Sequence, residues 1–255
     1  MKIPKYTSWF HSIKNLVRTI CAYFLVTLIF IIFFIPALVL MCLPEKYRRD
    51  NRVLFWFIDK TLRGFVWASL INIRFEGREN IPSTDACIFI ANHESSLDIP
   101  ILGSLAHGRP QVWFALDFYL KFPVLGFVIR RVAIPVTRHD TARSARALVT
   151  GVKLLVGKNR NLMIFPEGGR FTDGKVHPFF PGFAYIAFHA KRPVVPVYIH
   201  DAGKALPPDA FIPAYQYPVT VKIGEPFIMG SGEAIDAFTQ RVHQWFEDRA
   251  RDTFV

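Results

Sequence analysis

From Thr19 to Pro44 the chain carries no charged residue. That run constrains the fold more than any other feature, because a helix rises about 1.5 Å per residue and a bilayer's hydrocarbon layer is roughly 30 Å thick. A hydrophobic membrane helix is therefore expected over residues 20–43. The run exceeds the apolar stretch of a cleaved signal peptide, and no A-x-A-like site follows it. Pro36 permits a kink, so full crossing and insertion into one leaflet both stay open.

The flanks agree with a membrane reading. Lys2, Lys5, Lys14 and Arg18 are interleaved with Trp9 and Phe10 before the run. After it, a second apolar stretch over residues 53–70 is broken by Asp59, Lys60 and Arg63, with Trp56 and Trp67 near its ends. That composition suits a helix lying at the membrane interface. Residues 1–70 thus read as an anchoring segment and 71–255 as one sizeable domain. Lys46, Arg48, Arg49, Arg52, Lys60 and Arg63 make the far flank slightly richer in positive charge. The domain is accordingly expected on the cytoplasmic side, with a bacterial inner membrane as the setting. The net charge of +11 asks for an anionic partner. Because the basic residues flank apolar stretches and no recognition motif accompanies them, membrane lipids fit and nucleic acid does not. Cys21, Cys42 and Cys87 sit in apolar runs and read as small apolar residues, with no disulfide framework or metal site. No pattern specifies an oligomeric state.

Short apolar runs at 71–75, 86–91, 111–115, 132–136, 161–165, 194–200 and 219–223 predict strands. Helical stretches are expected at about 97–106, 117–129, 141–156 and 182–190, and Ile235, Phe238, Val242, Trp245 and Phe246 recur at helical spacing near the end. Strands alternating with helices predict an α/β fold: a mostly parallel or mixed sheet covered by helices, behind an N-terminal membrane-attached helical segment.

Two strand ends carry the polar groups. The first, Ala86 to Asp98, runs A-C-I-F-I-A-N-H-E-S-S-L-D. Residues five apart in a regular helix lie about 140° round its axis, so His93 and Asp98 meet only if His93 lies in the turn before a helix whose first turn holds Asp98. Ser95 or Ser96 is the expected cap. A carboxylate beside imidazole fixes its tautomer and raises its basicity, which is what a general base acting on a hydroxyl needs. The second end, Leu162 to Arg170, runs L-M-I-F-P-E-G-G-R. Gly168 and Gly169 allow close backbone approach to a ligand, with N–H groups for an oxyanion or phosphate, while Arg170 can hold a phosphate and Glu167 orient it. There is no G-x-S-x-G elbow, H-E-x-x-H pair, P-loop or Rossmann glycine fingerprint.

N-H-E-S-S-L-D, then R-R-V-A-I-P-V-T-R, P-E-G-G-R and R-P-V-V-P-V, in that order between Ile73 and Gly224, resemble the four motif blocks of the glycerolipid acyltransferases, the lysophosphatidic acid acyltransferase family. The resemblance implies a catalytic base at His93, an orienting partner at Asp98, and acceptor binding by Glu167, Gly168, Gly169 and Arg170. It assigns Arg138 to the acceptor's phosphate and Pro196 to the wall of the acyl site. It implies transfer of a fatty acyl chain from an acyl thioester, of coenzyme A or acyl carrier protein, to a hydroxyl of 1-acylglycerol 3-phosphate. No cofactor or metal is implied. Another lysophospholipid, glycerol 3-phosphate or an aminolipid as acceptor, or a lipid-binding protein without turnover, are the alternatives.

Overall fold

The computed structural model describes residues 9–252 apart from 84, 138, 139, 209 and 211. The uncharged run as far as Met41 lies within a helix that begins earlier than the sequence suggests. Helix α1, Trp9–Ile29, passes through a π-helical turn, Phe30–Phe34, into α2, Ile35–Met41. Pro36 lacks the N–H that would close a regular turn there, which accounts for the widened turn just before it. The stretch Ile13–Met41 is long and apolar enough to cross a membrane.

A short helix, α3 (Glu45–Arg48), leads to α4 (Arg52–Ala68), whose first turn is capped by the Asn51 side chain accepting the Leu54 N–H at 2.9 Å. The two long helices form a hairpin. Gly64 lies so close to Ile29 that an added Cβ would come within 2.9 Å of its side chain. Outward, Leu16, Ile20, Phe24, Ile31, Ile35 and Val39 are exposed. The inner face of α4 is buried through Leu54, Phe55, Asp59, Thr61 and Ala68. Asp59 accepts from Arg63 at 2.9 Å and from the Gly108 N–H at 3.1 Å, which satisfies its buried charge.

Strands β1 (Ile73–Glu76) and β2 (Ile88–Ala91) precede α5 (Asp98–Ser104). Then come β3 (Gln111–Leu116), α6 (Pro123–Val132), β4 (Ala133–Val136), α7 (Thr141–Leu155) and β5 (Asn161–Ile164). The chain closes with α8 (Gly182–Ala190), β6 (Val194–His200), α9 (Ala202–Ala205), β7 (Val219–Ile223) and α10 (Ile235–Arg251). The single helix expected at 117–129 is instead a 3-10 turn, Asp117–Lys121, followed by α6, because Pro123 starts a new helix and holds Phe122 extended.

The seven strands form one mixed sheet in the order β1-β7-β6-β2-β5-β3-β4. The five from β6 to β4 are parallel, and β7 runs against β6. All four residues of β2 are buried, as a strand covered on both faces requires. Phe89 and Ala91 face α5 with Ile101 and Leu102, while Ile88 and Ile90 face the layer holding Phe183, Ile186, Phe238 and Phe246. This frame puts the carboxyl ends of β2 and β5 side by side.

Candidate active site

Register brings the two polar strand ends together. Ile90 pairs with Ile164, so His93 and Glu167 lie three residues beyond matched positions on adjacent strands. Where β2 stops, Asn92 continues the ladder with its side chain. Its Oδ1 accepts the Ile199 N–H at 2.7 Å and its Nδ2 donates to the Ile199 carbonyl at 2.9 Å. That double bond to β6 fixes the chain just before His93.

His93 is held on four sides. Its Nδ1 lies 2.8 Å from Asp98 Oδ2, and its ring stacks on Phe165 with centroids 4.0 Å apart and planes 12° apart. The Phe171 N–H donates to its carbonyl at 2.9 Å. Arg170 Nε donates to His93 Nε2 at 3.1 Å. A guanidinium only donates, so Nε2 is the unprotonated nitrogen and Nδ1 carries the proton facing Asp98. The same Asp98 oxygen accepts the N–H groups of Glu94 at 2.7 Å and Ser95 at 2.8 Å. Asp98 opens α5, so His93 sits in the turn before the helix and Asp98 in its first turn, the arrangement their spacing demands. The serine cap takes another form: Leu97 occupies the cap position without a side-chain bond, while Ser95 Oγ accepts the Leu97 N–H and donates to the Leu206 carbonyl.

At the second end, Gly168 adopts φ +66°, and a Cβ there would meet the Phe180 ring at 2.7 Å. Glycine is needed for both reasons. Its N–H donates to the Phe165 carbonyl at 3.1 Å inside the turn, so the expectation that this amide faces an oxyanion does not hold. Gly169 follows it in the bend leading to Arg170. Arg138 lies outside the described residues.

A family model described as Acyltransferase matches residues 72–200, half of the chain. The chain belongs to the acyltransferase family. Among its relatives is a 1-acyl-sn-glycerol-3-phosphate acyltransferase of Brassica napus, 33% identical over 170 residues that cover 64% of this chain and 46% of that protein. One from Pseudomonas aeruginosa is 26% identical and covers 75% of each chain. The chain spans about half the length of the plant relatives BAT2 and LPAT1 that it matches. The crystal structure of the 1-acyl-sn-glycerophosphate (LPA) acyltransferase PlsC from Thermotoga maritima superposes with a TM-score of 0.68 at 25% identity, over 94% of this chain and 99% of that one.

Two more carboxyls lie close to the His93–Asp98 pair. Glu167 is buried and accepts the His177 N–H at 3.2 Å, with the His93 N–H as a second donor, and burial pushes its pKa up to about 7. Burial and the neighbouring Asp98 push Glu94 to about 7 as well. Phe165, Glu94 and His177 escape sequence reasoning. Glu94 lies within the first motif and Phe165 within the second, so the signal was present, but only the folded register shows what they touch.

Proposed function

We propose that the chain transfers a fatty acyl group from an acyl thioester to the free hydroxyl of 1-acylglycerol 3-phosphate, giving phosphatidate. The observation that carries this reading is the His93–Asp98 pair with its Nε2 lone pair directed at Arg170. His93 is the base. Asp98 holds the tautomer and stabilises the imidazolium that forms. Arg170 turns from Nε2 to the acceptor's phosphate, which a guanidinium binds with two hydrogen bonds, and the acceptor hydroxyl takes its place. The hydroxyl oxygen attacks the thioester carbonyl while its proton moves to Nε2; the carbon–sulfur bond then breaks and the imidazolium protonates the departing thiolate. No acyl-enzyme and no cofactor enter. The donor is acyl-CoA or an acyl carrier protein thioester. The family resemblance assigns Arg138 to the same phosphate, and Glu167, Gly168 and Gly169 shape the loop that presents Arg170. The exposed apolar face of the hairpin supports a place on the membrane, where acceptor and product reside, and the charge flanks support its cytoplasmic side.

The test is a panel of radiolabelled acyl-CoA and acyl carrier protein donors against lysophosphatidate, glycerol 3-phosphate, lysophosphatidylcholine and an aminolipid. Lysophosphatidate should give the highest kcat/KM. Arg170→Ala should raise its KM on the order of tenfold or more and increase thiol release when no acceptor is present, because Nε2 is then open to water. Equal rates with the unphosphorylated acceptors, or an unchanged KM, would remove the phosphate from this reading.

A further inference from the structure

At the opposite end of the strands, where β3 and β5 begin, lies a cavity of about 70 Å³. Arg48, Arg49, Arg130, Arg131, Arg160 and Gln111 line it, with Glu45 the one carboxylate in its wall. Its size is several times the 10–15 Å³ or so that one water needs, enough for a small oxyanion. The hairpin tip forms one wall and the α/β unit the other.

The arginines are unequally neutralised. Arg160 makes a two-pronged pair with Asp50 at 2.6 and 2.7 Å, and Arg49 pairs with Glu45. Among the described residues, Arg48, Arg130 and Arg131 face no carboxylate within ion-pair distance. Arg131 Nε donates to the Met41 carbonyl at 2.9 Å, and Arg48 Nη1 to the Leu43 carbonyl at 2.6 Å, so backbone oxygens at the hairpin tip hold both guanidiniums in place. Burial, and then the charge of Arg131, lower the pKa of Arg48 against the opposing charge of Glu45.

Two buried donors of the lining residues are unpartnered. Arg48 Nε and Gln111 Nε2 have no acceptor. The orientation of Gln111, only 2% exposed, is set by chemistry: its Oε1 accepts the indole N–H of Trp113 at 3.1 Å, and an indole can only donate. The NH₂ group is therefore the unpartnered end. Unpaired buried donors and unpaired cations around one cavity are both costly unless an anion with several acceptor oxygens completes them. Val53 and Trp56 on α4, which flank the lining residues Leu54 and Phe55 in sequence, are exposed apolar residues, as are Val39 on α2, which packs on α4 and α6, and Val124 and Leu125 on α6, the helix that carries Arg130 and Arg131.

We propose that this cavity binds a phosphate group, separately from the catalytic site, and that the group belongs to the headgroup of an anionic phospholipid, which fixes the hairpin tip at the membrane surface. Its position beside the exposed apolar residues favours the lipid over free phosphate.

Both sources are tested on the full-length protein in an Arg138→Ala, Arg170→Ala background, which removes both arginines assigned to the acceptor's phosphate. In neutral detergent, inorganic phosphate should raise the Tm by about 3 °C or more over chloride at equal ionic strength. Gln111→Glu keeps the acceptor for Trp113 and places a carboxylate among the arginines; it should raise the Tm in chloride and abolish the response to phosphate. In vesicle sedimentation, Arg48→Gln with Arg131→Gln should weaken binding to phosphatidylglycerol-containing vesicles roughly tenfold or more. Lys153→Gln with Arg251→Gln removes the same charge from exposed positions elsewhere and should weaken it only about threefold or less. A phosphate response in Tm with equal vesicle losses in the two pairs would overturn the lipid assignment. No phosphate response, or one that survives Gln111→Glu, would overturn the site.

Discussion

At His93 the contacts fix which ring nitrogen carries the proton. Asp98, with three donors on one oxygen, holds the Nδ1 proton, and the basic nitrogen points at a cation that an anionic ligand can attract. The pair was legible in the sequence because a turn-then-helix arrangement is the only one that joins residues at that spacing. The Arg170 contact was not, since the 77 residues separating it from His93 meet only through the β2–β5 register. The neighbouring Glu167 gives a pH signature. Its ordinary value is 4.5, and burial raises it to about 7, so between those values the folded state keeps a proton that the unfolded chain has released. Stability from this group therefore falls as pH rises across that window, and the cost is fully present above about pH 7. Glu167→Gln should raise the Tm at pH 8, by an amount equivalent to about 2 kcal/mol, and leave it nearly unchanged at pH 4.5. Parallel Tm–pH curves for the two proteins would reject a raised Glu167.

Among the elements, the strands announced themselves. Ile88 to Ala91, Leu162 to Ile164 and Val194 to Ile199 are buried on both faces, so their sequences are unbroken apolar runs bounded by turn residues. The break between Lys121 and Pro123 was also written in the sequence, in the proline itself, but apolar periodicity across it suggested one helix. What could not be read was which helix faces pair. Gly64 on α4 packs directly against Ile29 of α1, and nothing local marks it as an interface residue. Gly64→Leu should force Ile29 and the hairpin apart and destabilise the protein by about 1–3 kcal/mol, seen as a lower Tm and faster proteolysis between α2 and α4. An unchanged Tm would mean that the helices do not rest on each other there.

For the whole molecule, the placement of the hairpin decides which apolar surface is left for a membrane. Both of its ends touch the same α/β unit. Near the start, Arg18 donates to the Leu70 carbonyl and lies 4.2 Å from the centre of the Tyr215 ring; at the tip, Arg131 holds Met41 and Arg160 holds Asp50. These partners are far apart in sequence, which is why the uncharged run alone left crossing and half-insertion open. We propose that the hairpin lies in one leaflet with its outer face toward the lipid. A single cysteine at Tyr47, in a variant with Cys21 and Cys42 replaced, should react with an impermeant maleimide from the same side of sealed vesicles as one placed at exposed Lys153. Reaction from the opposite side only would show a full crossing. Cys87 will not interfere, being buried with its thiol pushed up to about 12. The central claim, that the His93–Asp98 pair drives acyl transfer, is met most directly by a single-turnover assay of His93→Ala and Asp98→Ala, each shown to retain its Tm and vesicle binding. With radiolabelled acyl thioester and lysophosphatidate, the account predicts a loss of labelled phosphatidate of about a hundredfold or more in each variant; formation at the wild-type rate in either would contradict it.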